Sequence, residues 1–432
     1  MRKKSFLCNS SNDLNVSLKI AIIGCGRIFD LNVQGYLNNP DCRIVGISDL
    51  NQELVESRIA TWAKVDPAIK SAKYYQNFVE MIEKERPDIV DILTPHHLHH
   101  FMVLKCAELK VPAISLQKPM AISIKECREM IEACKQSGTL FKVYENFVYY
   151  PPYQEAKKLL KQGIIGEPNS IRVLTLGAQK GGWHVPLKTW LWRIKADTCG
   201  GGPQIFDDGF HKFSAAYYFM DRKVESVFAW IDDYGFIDAP AQILFKYKGD
   251  KAVNVSRQKM GIVEFQAMTC GMIKSPYYSC DEFIEIVGDD GLMIINQCTA
   301  GGLGADNPMG ACSDYPAIRV IKGSKVEDFG ADLNRDWSAS FINSTADFVQ
   351  KVKSKSTDFL YYGEMGLELT KFAKAPYYSH ILKRDIFLDE LTEEFEADPK
   401  NQIGKVFRFK YLVRLGVQSL TRGTKKASRY FF

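Results

Sequence analysis

The cysteines of this sequence lack any pattern. The 11 cysteines are scattered, odd in number and without a CxxC spacing. That excludes a disulfide framework and a paired-thiolate zinc site, and it points to a reducing cytoplasm. No apolar run approaches the length that spans a bilayer. The basic start Met1-Arg2-Lys3-Lys4 leads soon to Asn9-Ser10-Ser11-Asn12-Asp13 rather than to an apolar h-region, so no secretory leader is expected. Internal repeats and low-complexity segments are missing too. Surplus charge is absent from most of the chain. The net charge is +5, and residues 403–432 hold eight Lys and Arg and no acid, which leaves the other residues at −3. A broad nucleic-acid-binding face is therefore not expected.

What is present starts with Leu18-Lys19-Ile20-Ala21-Ile22-Ile23-Gly24-Cys25-Gly26-Arg27-Ile28-Phe29. Ile20 to Ile23 has no polar alternation, as expected for a parallel strand covered on both faces. Gly24 permits a tight turn. Gly26 lets backbone N–H groups approach a pyrophosphate at a helix N-terminus. Phe29 stands where a third Gly or Ala is usual and questions how closely that helix packs. A second apolar strand, Arg43 to Ser48, ends at Asp49, where an acid should accept ribose hydroxyls. The cofactor expected is NAD rather than NADP.

The chain in order suggests a polar extension (1–17), a Rossmann domain (18–148), an α+β domain for substrate binding and oligomerisation (149–384), and an acidic stretch with a basic tail (385–432). The first domain alternates strands and helices, which implies a parallel sheet. After Tyr150-Pro151-Pro152 the rhythm changes. A helix is expected over Pro203 to Met220. Strands then follow without helices between them, near 224–232, 239–247, 252–257, 283–287 and 292–296. That pattern indicates a mostly antiparallel sheet.

Several side chains sit where chemistry is expected. Lys118 lies just past a strand end, before Pro119, and a cis bond there would turn it toward the cofactor crevice. The competing reading is a surface Lys before a turn proline. Asp207 and His211 stand at i and i+4 of the expected helix, on one face. A carboxylate there would orient the imidazole as a general base, and Gly209 between them would leave room for a ligand. The competing reading is a local helix-surface pair. His96, His97, His99 and His100 have the look of a metal cluster. They lack a partnering Glu or Cys, so no metal is expected and contact with cofactor or substrate is the preferred use. Trp183, Trp190 and Trp192 could stack on a sugar or simply pack a long loop.

In order and spacing these motifs resemble the Gfo/Idh/MocA oxidoreductases over about Leu18 to Arg384. The matches are Gly24-Cys25-Gly26-Arg27-Ile28, Asp49, Thr94-Pro95 with His99, Gln117-Lys118-Pro119, Trp192-Arg193 and Asp207-x-Gly209-x-His211. The resemblance implies a Rossmann domain followed by a domain with an open-faced sheet. It also implies hydride transfer between a nicotinamide and a hydroxyl-bearing carbon of a sugar or polyol. Cofactor contacts would come from Gly24, Gly26, Arg27, Ile28, Asp49, Thr94, Pro95, His96, His99, Gln117 and Lys118. Lys118 would touch the reacting hydroxyl, and Asp207 with His211 would form the substrate-side dyad. Glu145, Asn146, Trp192 and Arg193 complete the expected substrate contacts. Gln117 departs from the family's Glu, and Val148 from its Arg.

The function expected is an NAD-dependent sugar or polyol dehydrogenase, working as a homo-oligomer. A redox-neutral glycosidase or epimerase on the same scaffold is the alternative. A non-catalytic ligand sensor is disfavoured by the retained Lys118, Asp207 and His211. The basic-aromatic tail, with Phe407, Phe409 and Tyr411, suits a membrane surface or an acidic partner or, in preference, docking on its own oligomer or on the acidic stretch before it.

Overall fold

The computed structural model describes residues 17–178, 191–232, 238–249, 258–268, 280–296, 315–358 and 360–403. Trp183, Trp190, the strand expected at 252–257 and the basic tail lie outside these residues. From Leu18 the chain runs through β1 (Leu18–Ile23), α1 (Phe29–Leu37), β2 (Cys42–Ser48), α2 (Gln52–Trp62), β3 (Lys73–Tyr75) and α3 (Phe78–Glu85). It continues through β4 (Ile89–Ile92), α4 (His99–Glu108), β5 (Ala113–Gln117), α5 (Ile124–Ser137) and β6 (Leu140–Tyr144). Helix starts follow side-chain caps: Asn51, Asn77 and Ser123 accept the N–H groups of Leu54, Val79 and Glu126. Gly138, with φ 75°, closes α5 in the left-handed conformation.

These strands form one six-stranded parallel sheet in the order β3-β2-β1-β4-β5-β6. The order reverses between β1 and β4. The crevice beyond their carboxyl ends is therefore where a ligand belongs. Phe29 causes no gap there. It is fully buried with Ile20, Ile22 and Val33, so the larger side chain fills the layer between β1 and α1.

The second domain contains α6 (Pro151–Lys161), β7 (Pro168–Ala178), α7 (Gly209–Met220), β8 (Val224–Ile231), β9 (Ala241–Tyr247), β10 (Met260–Met268), β11 (Cys280–Gly288) and β12 (Leu292–Asn296). β13 (Ile318–Lys322), β14 (Lys325–Phe329), α8 (Ser338–Ser354), α9 (Gly363–Leu382), β15 (Ile386–Phe387) and α10 (Glu393–Ala397) follow. Nine strands form one sheet in the order β14-β13-β12-β11-β7-β10-β9-β8-β15. All its pairings are antiparallel except β7 with β10. Along β9 the side chains alternate: Ala241, Ile243, Phe245 and Tyr247 face the core, whereas Gln242, Leu244 and Lys246 face outward. The inward face packs on α7 and α9, with the Phe372 ring 4.4 Å from that of Phe213 and 5.0 Å from that of Phe245.

Two features depart from the sequence reading. The helix expected over Pro203 to Met220 is broken into a π-turn at Pro203–Asp208 and the regular α7. The acidic stretch after Arg384 is folded into the body. Ile386 pairs with Val227, and Glu396 receives the Ile124 N–H at 2.6 Å and Lys374 at 2.8 Å. Among the described residues no helix is long and apolar enough to cross a membrane.

Helix α8 returns to the first domain and packs on α1. A Cβ built on Gly35 would lie 2.4 Å from Thr345 Oγ1 and 2.5 Å from its Cβ. Gly35→Ala should therefore destabilise the protein by about 1–3 kcal/mol through overpacking. Denaturant titration checks this; an unchanged midpoint would show that the α1–α8 contact yields freely.

Candidate active site

The turn after β1 is shaped for a phosphate. Gly24 has φ 96°, and a Cβ there would stand 3.0 Å from the Leu93 carbonyl carbon and oxygen. Only glycine fits that crossing of β1 and β4. A Cβ on Gly26 would meet nothing within 4 Å, so this backbone borders open space. The N-terminus of α1 has no side-chain cap, which leaves its positive end available to an anion. Asp49 lies beside the turn. Its Oδ2 accepts the Cys25 N–H at 2.7 Å and its Oδ1 the Asn51 N–H at 2.9 Å. Each oxygen retains acceptor capacity for a ribose hydroxyl. These residues fit a dinucleotide. Gln117 braces the turn from below: its amide donates to Asn32 Oδ1 at 3.2 Å, and Asn32 donates to Ile28 O at 3.0 Å.

Lys118 and Asp207 meet across the domains. Lys118 Nζ lies 2.9 Å from Asp207 Oδ1 and 2.8 Å from its carbonyl oxygen. The Lys118–Pro119 bond is cis, one of the two readings the sequence left open. Arg193 Nε donates to Asp207 Oδ2 at 2.7 Å, and His96 Nε2 stands 3.5 Å from Oδ1. Burial by itself would raise the Asp207 pKa, but Lys118 and Arg193 hold it well below the usual carboxylate range. Trp192 lines the same corner, with its ring 4.6 Å from His96 and the Arg193 guanidinium over it at 4.3 Å.

His211 is not paired with Asp207. Its Nδ1 lies 2.9 Å from both Oε1 and Oε2 of Glu145, just past β6 in the other domain. The expected i, i+4 pairing fails because Asp207 lies in a π-turn rather than a regular helical turn. Its N–H reaches back five residues to Gly202 O at 3.2 Å. The turn is set by Asp238, whose carboxylate accepts the N–H groups of Gln204 at 2.8 Å and Ile205 at 2.9 Å. Gly209 makes room for Phe265 rather than for a ligand: a Cβ there would lie 3.0 Å from that ring.

Four expected ligand contacts are turned to other work. Glu145 is fully buried and takes the Phe147 N–H at 2.8 Å besides facing His211, so it does not offer its carboxylate to substrate. Asn146 donates to Ser340 Oγ at 2.7 Å and ties the segment to α8. His99 is enclosed by backbone carbonyls: Nδ1 is 3.0 Å from Pro119 O, and Nε2 is 2.8 Å from Thr94 O. It braces the loop that carries Lys118, and burial lowers its pKa to about 4. Thr94 Oγ1 in turn points to Met102 Sδ at 3.4 Å.

Four contributors were missed in the sequence. Phe147 stacks on the His211 ring with centroids 4.1 Å apart. Buried Lys212 bridges Asp208 at 2.9 Å and Glu282 at 2.7 Å. The i, i+4 spacing of Asp208 and Lys212 was a usable signal; nothing local marked Phe147, Glu282 or Asp238. Among the described residues no group of three His, Cys, Asp or Glu is placed to hold a metal ion.

Comparison with known proteins accords with this geometry. A family model described as the oxidoreductase family GFO_IDH_MocA, NAD-binding Rossmann fold, matches residues 18–145, and the C-terminal domain model of the same family matches 153–294. Residues 18–145 are therefore an NAD-binding domain. The chain is 30% identical over 150 residues to a D-apiose dehydrogenase of Paraburkholderia graminis, covering 35% of this chain and 38% of that protein. It is 30% identical over 121 residues to a 2,7-anhydro-N-acetylneuraminate hydratase of Escherichia coli, covering 28% and 31%. The matched part thus spans about a third of the length of these curated relatives. An oxidoreductase from Agrobacterium radiobacter, solved with NAD+, L-tartaric acid and magnesium, shares the fold. Its TM-score is 0.67 at 20% identity, over 87% of this chain and 100% of that one.

Asp49 should discriminate against a 2′-phosphate, since two negative charges at contact distance repel even when screened. NAD should bind at least about tenfold more tightly than NADP, a difference near 1.4 kcal/mol. Asp49→Ala should narrow the gap. Fluorescence titration of both nucleotides checks this, and equal affinities in the wild type would remove Asp49 from the ribose site.

Proposed function

We propose that this chain, which belongs to the Gfo/Idh/MocA oxidoreductase family, oxidises a secondary hydroxyl of a sugar, sugar derivative or polyol. The observation that carries the reading is the meeting of Lys118 and Asp207 from two domains beside the NAD-binding crevice, with His211 close enough for both charges to act on its imidazole. When bound, the nicotinamide supplies the hydride acceptor. His211 takes the hydroxyl proton at Nε2, which has no hydrogen-bond partner among the described residues. Lys118 places its ammonium where the alkoxide develops and stabilises that charge. Asp207 holds Lys118 in position while Arg193 and Trp192 line the substrate side.

Cofactor chemistry alone does not separate net oxidation from a redox-neutral turnover that begins with the same hydride step. The hydratase among the relatives is the reason to keep that second reading. Homo-oligomerisation is proposed through the outer face of the nine-stranded sheet, where Trp230, Leu244 and Met260 are between 39% and 57% exposed.

His211→Ala should slow the chemical step by about 10²–10⁴-fold, with NAD binding retained. Lys118→Met should do at least as much. Single-turnover absorbance of reduced nicotinamide, with a panel of sugars and polyols, measures both. Stoichiometric reduction supports the dehydrogenase, and transient reduction supports the redox-neutral alternative. No reduction with any member of the panel would count against both.

The oligomer is tested separately. Trp230→Glu should convert the assembly to monomers in sedimentation velocity, and a monomeric wild type would overturn the proposal.

A further inference from the structure

Asp207 has no capacity directed at His211. Its oxygens serve Lys118 at 2.9 Å and Arg193 at 2.7 Å. The imidazole nevertheless needs an orienting acceptor, because a base working at Nε2 must carry its own proton on Nδ1. Glu145 stands at that atom. Its two oxygens are each 2.9 Å from Nδ1, a forked approach suited to one N–H between two carboxylate oxygens. The Phe147 N–H fixes Oε1, and the Phe147 ring fixes the imidazole plane at an interplanar angle of 26°. Glu145 and Asn146 are themselves held by β6 and α8, where Tyr144 donates to Phe341 O at 2.9 Å.

We propose that Glu145 is the positioning residue of His211, so that the proton-accepting unit of this chain is a Glu–His pair drawn from its two domains, and that Asp207 belongs to Lys118 instead. The inference rests on the reading of His211 as the base. When His211 accepts the hydroxyl proton at Nε2 it becomes an imidazolium, and the Glu145 carboxylate balances that charge inside the protein. The need is large: burial, followed by the cations Lys118 and Lys212, holds the imidazole pKa well below its ordinary value. The groups around the pair are Lys118, Lys212, Asp207, Glu282 and Tyr361.

The pair titrates as a unit. Holding one proton, on Nδ1, it can accept from a hydroxyl. Holding two, it can only donate, as the reverse reaction requires. Burial raises the Glu145 carboxyl, so oxidation should fall as the pH drops through the titration of the pair while reduction of a ketone should not. A role for Glu145 in packing alone would produce no such opposition between the two directions.

Nitrogen-15 NMR of the seven histidines, assigned with His211→Gln, tests the pairing in the NAD-free protein and needs no substrate. At a pH above the titration of the pair, where it holds one proton, His211 should show a protonated Nδ1 and a bare Nε2 in the wild type and in Asp207→Asn. It should lose that tautomer in Glu145→Ala. Should Glu145→Ala fail to fold, the near-isosteric Glu145→Gln takes its place, with a displaced Nδ1 resonance expected. With a turned-over substrate, Glu145→Gln should lower kcat by about 10²–10⁴-fold, leave KM nearly unchanged and displace the acid limb of the pH profile. Glu145→Asp should recover part of the rate. A tautomer that changes in Asp207→Asn but not in the Glu145 variants would overturn the proposal. So would Glu145 variants that raise only KM. If the tautomer follows Glu145 yet His211→Ala oxidises substrate at the wild-type rate, the reading of His211 as the base fails while the pairing stands.

Discussion

The candidate site depends on an ion pair that bridges two domains. Lys118 leaves the end of β5, Asp207 lies in the π-turn of the second domain, and they meet at 2.9 Å with little exposure to solvent. Breaking such a pair by removing one partner typically costs about 3–5 kcal/mol, because the remaining charge is buried without compensation. Here Asp207 keeps Arg193 as a second cation, so each of its carboxylate oxygens faces a positive charge. The pair also fixes Lys118 in space. A lysine has many rotamers, and a carboxylate with a backbone carbonyl at its tip selects one of them.

Around that pair the protein uses buried polar contacts to set positions that apolar packing leaves loose. Asp238 fixes the π-turn through two backbone N–H groups, and Tyr377 donates to the same carboxylate. Gly202 must be glycine there, since a Cβ would fall 2.3 Å from Asp238 Cγ. On the other side of the junction, Lys142 Nζ bonds to Ser344 O at 2.7 Å, and Asn146 bonds to Ser340. These contacts tie β6 to α8, so the segment that carries Glu145 cannot shift independently of the second domain. Directional bonds of this kind specify register, whereas an aliphatic interface would tolerate sliding.

The structure brings Lys118, Asp207, Arg193 and Trp192 together, and it gives His211 a different partner from the one expected. The Asp207–His211 contact was inferred from regular helical spacing, and a π-turn invalidates that spacing. Glu145 was visible as an acid after the last Rossmann strand. Its role was not, because a carboxylate pointing at substrate and one pointing at an imidazole have the same sequence. His99 illustrates the same limit: its motif position was legible, but the three carbonyls around it come from residues 94, 119 and 120.

Local chemistry by itself determined the first domain. Apolar runs of strand length, glycines at a strand–helix turn and an acid at the next strand end are short-range signals, and the parallel sheet follows from their alternation. It also determined that the second domain would be a largely antiparallel sheet. Tertiary structure alone decided three things: that β7 pairs in parallel with β10, that the acidic stretch joins the body through β15 and Glu396, and that His211 faces Glu145. Each joins residues far apart in the chain, from 66 positions between Glu145 and His211 to 272 between Ile124 and Glu396. Contacts at that separation leave no periodicity or spacing in the sequence. They are fixed only when the two domains close and every buried charge must find a partner.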